Sequence, residues 1–363
     1  MKKNLLFAMV ACATFVSCSE DVKEQENVLP GENDLMEVQF NGVNVEAAVE
    51  QSRALVPDGG WPGTEEISLI GLAKESDADW TDSESVLFKD AENGCIVAAV
   101  SKGSVTLKDA KGEKEETYYY PFDSKKSFSF YACYPKASVT KTRNKVTVNY
   151  TDVTGSTDIL AGSAVSKYAD GYNAKYYRQH LKEGDKIEDL HPTLTLEHKL
   201  TKLDFYVKKG DEDTEELKVK NITIESVPTN LVLTLADKNN SASTLTTASN
   251  PSIKDITVFK STGNDDLLIP PFPGQGEEQK GKLAGAVAVY PSDYYKISME
   301  LVDPKNESHE GNAITLYTND KLPFAAGTCY QVVLTIYGMR QVTISNVSVK
   351  DWVPGGSIEE EVN

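Results

Sequence analysis

Residues 36–49 read MEVQFNGVNVEAAV, and residues 342–349 read VTISNVSV. In the first, Met36, Val38 and Phe40 alternate with polar neighbours, the phase slips at Asn41-Gly42, and Val43, Val45, Ala47 and Val49 resume it. In the second, Val342 and Ile344 alternate, the slip falls at Ser345-Asn346, and Val347 and Val349 resume. Successive side chains of a strand point to opposite faces, so period-two alternation marks a half-buried strand and one three-residue step marks a bulge. Two strands that share this stepped pattern could occupy the same groove.

The same alternation recurs along the chain, at 67–73, 128–134, 145–150, 222–227, 231–235, 297–301 and 330–336. Clusters of Gly, Asn, Asp and Pro separate these short runs, and no long window shows helical spacing. Evenly spaced short strands with such turns predict an all-β chain of antiparallel sandwiches. The length suits two domains, 36–188 and 189–363, divided within the polar stretch 181–190 (LKEGDKIEDL).

Ahead of these domains, residues 1–17 form a signal peptide, with Lys2 and Lys3 before an apolar run at 5–16 too short to span a bilayer. The run ends in Phe15-Val16-Ser17-Cys18, a lipobox that makes Cys18 the lipidated first residue of the mature chain. Met9-Val10-Ala11-Cys12 is a second, weaker lipobox, and cleavage there would leave too short an apolar run. Residues 18–35 are an acidic tether, because 19–34 (SEDVKEQENVLPGEND) carry six acids against one lysine and cannot bury enough apolar surface to offset ordering. An acidic patch directly behind the lipid resembles the surface-export signal of lipoproteins in Gram-negative anaerobes.

The chain carries −18, and losing Lys2 and Lys3 with the signal leaves −20. That field repels phosphate backbones and anionic headgroups, which excludes nucleic acid as a partner. Cys95, Cys133 and Cys329 remain after Cys12 and Cys18 are accounted for, an odd number with no zinc or disulfide spacing.

Several motifs lack the residues their chemistry needs. Residues 276–282 (GEEQKGK) have phosphate-loop spacing, but Leu283 stands where a hydroxyl should hold magnesium. Asp77, Asp79 and Asp82 suggest a calcium loop, yet Phe88 replaces the bidentate Glu, leaving a solvated acidic turn. The four histidines form no metalloprotease or hydrolase pattern, and His198 falls on the inward face of Leu194, Leu196 and Leu200, the place of a core histidine with a backbone partner. The sequence thus points away from an enzyme, with no catalytic residue, metal or cofactor expected. Trp61 and Trp80, among 17 tyrosines, allow an alternative reading, a surface glycan-binding lipoprotein. Trp352 is expected to plug a core edge.

Arg53 is the first arginine of the chain, and the next is Arg143. It stands in Gln51-Ser52-Arg53-Ala54-Leu55, between the first strand and a turn-rich stretch, where chain is exposed to proteases. With the lipobox and its acidic follower, this strand before Arg53, FSFYACYP at 128–135, DILAG at 158–162, TLTLEHKLTKLDFYV at 193–207, AAGTCYQVVLTIYG at 325–338 and VTISNVSVKDWVPGG at 342–356, the chain resembles the fimbrillins, particularly their Mfa-like branch. These are subunits of type V pili of Gram-negative anaerobes. The resemblance implies two transthyretin-like sandwiches and export as a lipoprotein to the outer membrane, facing outward, with a fatty acyl chain such as palmitate on Cys18. It implies cleavage between Arg53 and Ala54 by an arginine-specific protease, removal of 36–49, and assembly with other fimbrial subunits, like or unlike, into a fimbrium for surface attachment. The donor strand would lie within 342–362, with Val342, Ile344, Val347 and Val349 as its inward residues. Because 357–363 is short and carries Glu359, Glu360 and Glu361, stalk, anchor, accessory and tip positions all stay open.

Overall fold

The computed structural model describes residues 35–46, 64–101, 104–122, 126–166, 171–210, 216–240, 242–262, 265–270, 281–311, 313–338 and 341–350. In chain order the first strands are β1 (Gly42–Glu46), β2 (Thr64–Ala73), β3 (Cys95–Ser101), β4 (Ser104–Lys108), β5 (Phe128–Tyr134), β6 (Val139–Lys141), β7 (Lys145–Tyr150) and β8 (Leu160–Ala164). Two helices follow, α1 (Ala174–Glu183) and α2 (Ile187–Leu190), and then β9 (Thr193–His198). The chain continues through β10 (Thr201–Lys209), β11 (Lys218–Pro228), β12 (Leu231–Asp237), β13 (Thr244–Thr247), β14 (Ile253–Lys260) and β15 (Leu267–Leu268). It finishes with β16 (Lys282–Val289), β17 (Tyr295–Val302), β18 (Ser308–Glu310), β19 (Ile314–Leu316), β20 (Cys329–Gly338) and β21 (Gln341–Lys350).

The all-β expectation holds, as two sandwiches. In the first, a seven-stranded sheet of order β1-β9-β8-β5-β2-β3-β4 faces a four-stranded sheet of order β13-β12-β7-β6. Ile70, Leu72 and Cys133 from one sheet meet Val146, Val148 and Leu233 from the other. The opposite face of the seven-stranded sheet curls around a second core that holds Phe128, Phe130, Leu194 and Leu196, together with Tyr177 of α1. In the second sandwich, a sheet of order β16-β10-β20-β21 faces one of order β14-β11-β17-β18, over a core with Phe205, Ile222, Ile224 and Val332.

The sheets do not divide at the expected boundary between 188 and 189. β9 lies beyond it, yet pairs with β8 in the first sandwich, Leu160 opposite His198 and Gly162 opposite Leu196. The chain crosses to the second sandwich only at Lys199 and Leu200, between β9 and β10. It then sends a hairpin back, because β12 pairs with β7, Leu233 opposite Val148. Polarity marked the surface stretch 181–190, whereas strand pairing decides which sandwich owns a segment. A small core of Ile159, Leu200, Leu231 and Ala288 closes the seam.

Two further features depart from the sequence reading. β1 pairs with β9, and β10 with β20, in parallel rather than antiparallel fashion. α1 is a helix where none is expected. Its start is fixed by Asn173, whose Oδ1 accepts from Tyr176 N at 2.8 Å, and its end by Gly184 in the left-handed conformation at φ 97°. Asn173 and Gly184 are the sequence signals that could have found it; a helix of only 10 residues gives periodicity too few turns to register.

Candidate functional site

The N-terminal segment 36–46 lies in a groove made by two different neighbours. Its first part pairs antiparallel with 118–120: Val38 N donates to Tyr118 O at 2.8 Å, and Tyr120 N to Met36 O at 2.9 Å. At the expected slip, Asn41 N donates to Pro192 O at 3.0 Å, and Asn41 Nδ2 to His191 O at 3.1 Å. Beyond it β1 runs parallel to β9, Val43 opposite Leu194 and Val45 opposite Leu196. The step at Asn41-Gly42 is therefore a change of partner and not a bulge within one ladder, which corrects the sequence reading. A phase slip reports only that side chains change face, and either geometry produces it.

Apolar burial accompanies this pairing. Met36, Val38 and Val43 are buried in the core of the first sandwich, and Phe40 and Val45 pack against it. Phe40 meets Phe130 edge-on at 4.8 Å between ring centres, a favourable aromatic geometry. The segment bridges the two edges of the seven-stranded sheet, with β1 at one end and β4 at the other. Between it and β4 a cleft of about 380 Å³ remains, lined by Phe40, Val105, Leu107 and Glu116. Among the described residues the segment is held by main-chain bonds to 118–120 and β9 and by a few inward side chains. Tyr120, whose hydroxyl lies 3.4 Å from that of Tyr177 and whose N donates to Met36 O, belongs to this groove, a role that sequence analysis did not single out.

At the other terminus, β21 is antiparallel to β20 and, among the described residues, has no second strand beside it in its sheet. Val342, Ile344, Val347 and Val349 stand opposite Ile336, Leu334, Val332 and Tyr330. Asn346 faces Val333 while Ile344 faces Leu334, so Ser345 is the extra residue of a β-bulge at the slip read from the sequence. Val347 is buried and Val342 packs on the core of the second sandwich. Its open edge is touched by Asn319, whose Oδ1 accepts from Val347 N at 3.4 Å. The structure thus places Val342, Ile344, Val347 and Val349, the residues read from the sequence as a donor set, on one edge strand, while Cys18, Arg53 and Ala54 lie outside the described residues.

Elsewhere the chemistry-bearing residues serve structure. His198 is buried and hydrogen-bonded through Nδ1 to the carboxylate of Asp158, a side-chain partner that the sequence reading did not name. Asp79 closes its turn by accepting from Thr81 N at 3.0 Å and Thr81 Oγ1 at 2.6 Å. These bonds, with Arg143 nearby, hold its carboxyl below the usual range. Burial pushes the Cys95 thiol up to about 12 and that of Cys133 up to about 11, so neither is a reactive thiolate. Asp303, Glu307 and His309 gather at the β17–β18 turn with side-chain ligand atoms within 4.8 Å of one another. There Asp303 Oδ1 accepts from Lys305 N and Glu307 N, so that its carboxylate holds the turn. Trp80 is only 3% exposed and donates Nε1–H to Ala73 O at 2.9 Å, which removes it as a glycan platform. Trp61, Trp352 and residues 276–280 of the phosphate-loop stretch lie outside the described residues.

Comparison with known proteins gives one family. The fimbrillin-like family model matches residues 52–352. Among solved structures, a candidate cell adhesion protein from Bacteroides uniformis is 16% identical with a TM-score of 0.48, over 88% of this chain and 97% of that one. A second from Bacteroides ovatus is 12% identical with a TM-score of 0.47, over 88% and 98%. The tip fimbrial protein Mfa3 from Porphyromonas gingivalis, with a C-terminal truncation, is 8% identical with a TM-score of 0.38, over 88% and 100%. No curated protein matches the chain.

Proposed function

The chain belongs to the fimbrillin-like family and is a pilus subunit, and from that premise we propose that it is assembled by strand donation after an arginine-specific protease cuts between Arg53 and Ala54. The subunit would reach the outer face of the outer membrane as a lipoprotein acylated, for instance with palmitate, on Cys18. Cleavage would then release residues 36–49 together with that anchor. β21, from Val342 to Val349, would fill the vacated groove of a neighbouring subunit.

The observation that carries this reading is the arrangement of residues 36–46. They pair with two neighbours, bury Met36, Val38 and Val43, and precede the first arginine of the chain. Removing them would uncover apolar pockets and leave main-chain groups of β9 and of 118–120 unpaired, an edge that a strand of matching alternation covers. Reburial at about 25 cal/mol per Å² is worth several kcal/mol to such a strand. Head-to-tail donation does not close on itself, so it produces a fibre.

The test is digestion of the purified protein with an arginine-specific protease, followed by electrophoresis without boiling. A ladder of SDS-resistant oligomers is expected, absent from Arg53→Ala and from a chain truncated before Val342. Monomer that persists after clean cleavage at Arg53 would refute strand donation as the assembly route.

A further inference from the structure

Tyr294 and Tyr317 meet on the surface of the second sandwich, beside the seam between the two sandwiches, and Leu322 follows in the loop after Tyr317. Tyr294 is 46%, Tyr317 47% and Leu322 63% exposed. The rings of Tyr294 and Tyr317 lie 5.9 Å apart at 44°. Their positions are fixed from below. Tyr295, next to Tyr294, points into the core, packs 4.9 Å from Phe324, and donates its hydroxyl to Tyr290 O at 2.9 Å. Tyr294 is therefore held outward by strand alternation. Thr318 Oγ1 donates to Leu322 O at 2.7 Å and Phe324 N to Ser292 O at 2.9 Å, which ties the Tyr317 loop to the Tyr294 turn.

Tyr294 is also a wall of a cleft of about 300 Å³ between the end of β11 and the turn before β17. Pro228 and Tyr290 give the cleft an apolar floor, and Glu225, Ser226, Ser292 and Asp293 give it polar groups. Ser292 Oγ donates to Tyr294 O at 2.8 Å, so its oxygen still offers lone pairs. Small-ligand sites start at about this volume and favour seams between domains.

The chemistry selects the ligand. Two carboxylates in a chain at −18 repel anions. A patch of three side chains is far below the roughly 800 Å² per partner of a stable protein interface. Rings tilted at 44° cannot both stack on one flat heterocycle. A neutral pyranose satisfies all of these conditions: its C–H face lies on an aromatic ring, and its rim of hydroxyls donates to carboxylate and serine oxygens. We propose that the cleft walled by Tyr294, with the Tyr317 ring beside that wall, binds a neutral hexopyranoside, the terminal or internal unit of a surface polysaccharide. This site is independent of the N-terminal groove and of strand donation.

The measurement is saturation-transfer difference NMR on the full chain with the methyl glycosides of glucose, galactose and mannose. Transfer to the ring protons of at least one glycoside is expected. Tyr294→Ala and Tyr317→Ala should each weaken the titrated affinity about tenfold. Tyr337→Ala, another exposed tyrosine of the second sandwich, should leave it unchanged. Unfolding midpoints of the variants should match the parent, which separates lost binding from lost fold. No transfer to any of the three glycosides, or transfer that survives the Tyr294→Ala, Tyr317→Ala double variant, overturns the proposal. A failed protease ladder would leave it untouched.

Discussion

A Cβ added to Gly162 on β8 would fall 1.8 Å from the carbonyl oxygen of Thr195 on β9. Backbone cannot yield as a flexible side chain can, so Gly162→Ala must push the two strands apart. The expected cost is about 3 kcal/mol, read as a lower urea midpoint at unchanged slope. Glu66 provides a pH-dependent contact at the same scale. Lys136 and Lys108, the latter at 2.9 Å, hydrogen-bond its carboxylate and hold its pKa below 4.5. A depressed folded-state pKa means that this contribution is present above the unfolded value and fades as pH falls through the folded one. Stability should thus fall as pH drops through and below the ordinary carboxylate range, and Glu66→Gln should remove a small part of that fall, since the group is partly solvated. Cys95 and Cys133 stand on β3 and β5, two strand spacings or about 9–10 Å apart across β2, too far to bridge. Counting thiols on unreduced, unfolded mature protein should find those of Cys95, Cys133 and Cys329 all free; a single free thiol would contradict that geometry.

At the scale of elements, the two terminal strands behave differently although their sequences step alike. In β21 the step is a bulge that keeps one partner, while at Asn41-Gly42 it hands the chain from 118–120 to β9. A donor strand entering the groove must reproduce the second geometry. Deleting Ser345 would remove the step, turn the residues beyond it to the wrong face, and should abolish the protease-induced ladder. α1 depends on its cap. Asn173→Ala should cost about 1 kcal/mol in an unfolding titration, because Tyr176 N would lose its acceptor. The proposed lipid attachment falls on the N-terminal segment, at Cys18. Cys18→Ala should lose incorporation of radiolabelled palmitate and release the protein from membranes; undiminished labelling would rule out Cys18. The strands themselves were legible because their alternation is a local property. The partner of each was not, since the same half-buried pattern suits parallel β9 and antiparallel β8.

The whole molecule is joined by exchange of strands. β12 and β13, coded after the chain has entered the second sandwich, complete the first one against β7. A chain truncated after His198 would expose Val146, Val148 and Ile70 on an uncovered face, and it should be insoluble or molten. In the intact chain the seam core of Ile159, Leu200, Leu231 and Ala288 couples the halves, and calorimetry should record one cooperative transition. Two well-separated transitions, or a well-folded truncated chain, would show that the sandwiches are independent.

Composition and alternation by themselves determined that this chain is all-β, acidic and built of sandwiches. Its motifs carried the family resemblance, because these properties are written in neighbouring residues. Tertiary structure decided the rest: where the chain crosses between sandwiches, which neighbours hold residues 36–46, that Trp80 lies inside, and that Tyr294 and Tyr317 meet outside. Each of these depends on contacts between residues distant in sequence. A period-two pattern fixes which side chains share a face of a strand, but not which strand lies beside it or whether that face meets a core or water.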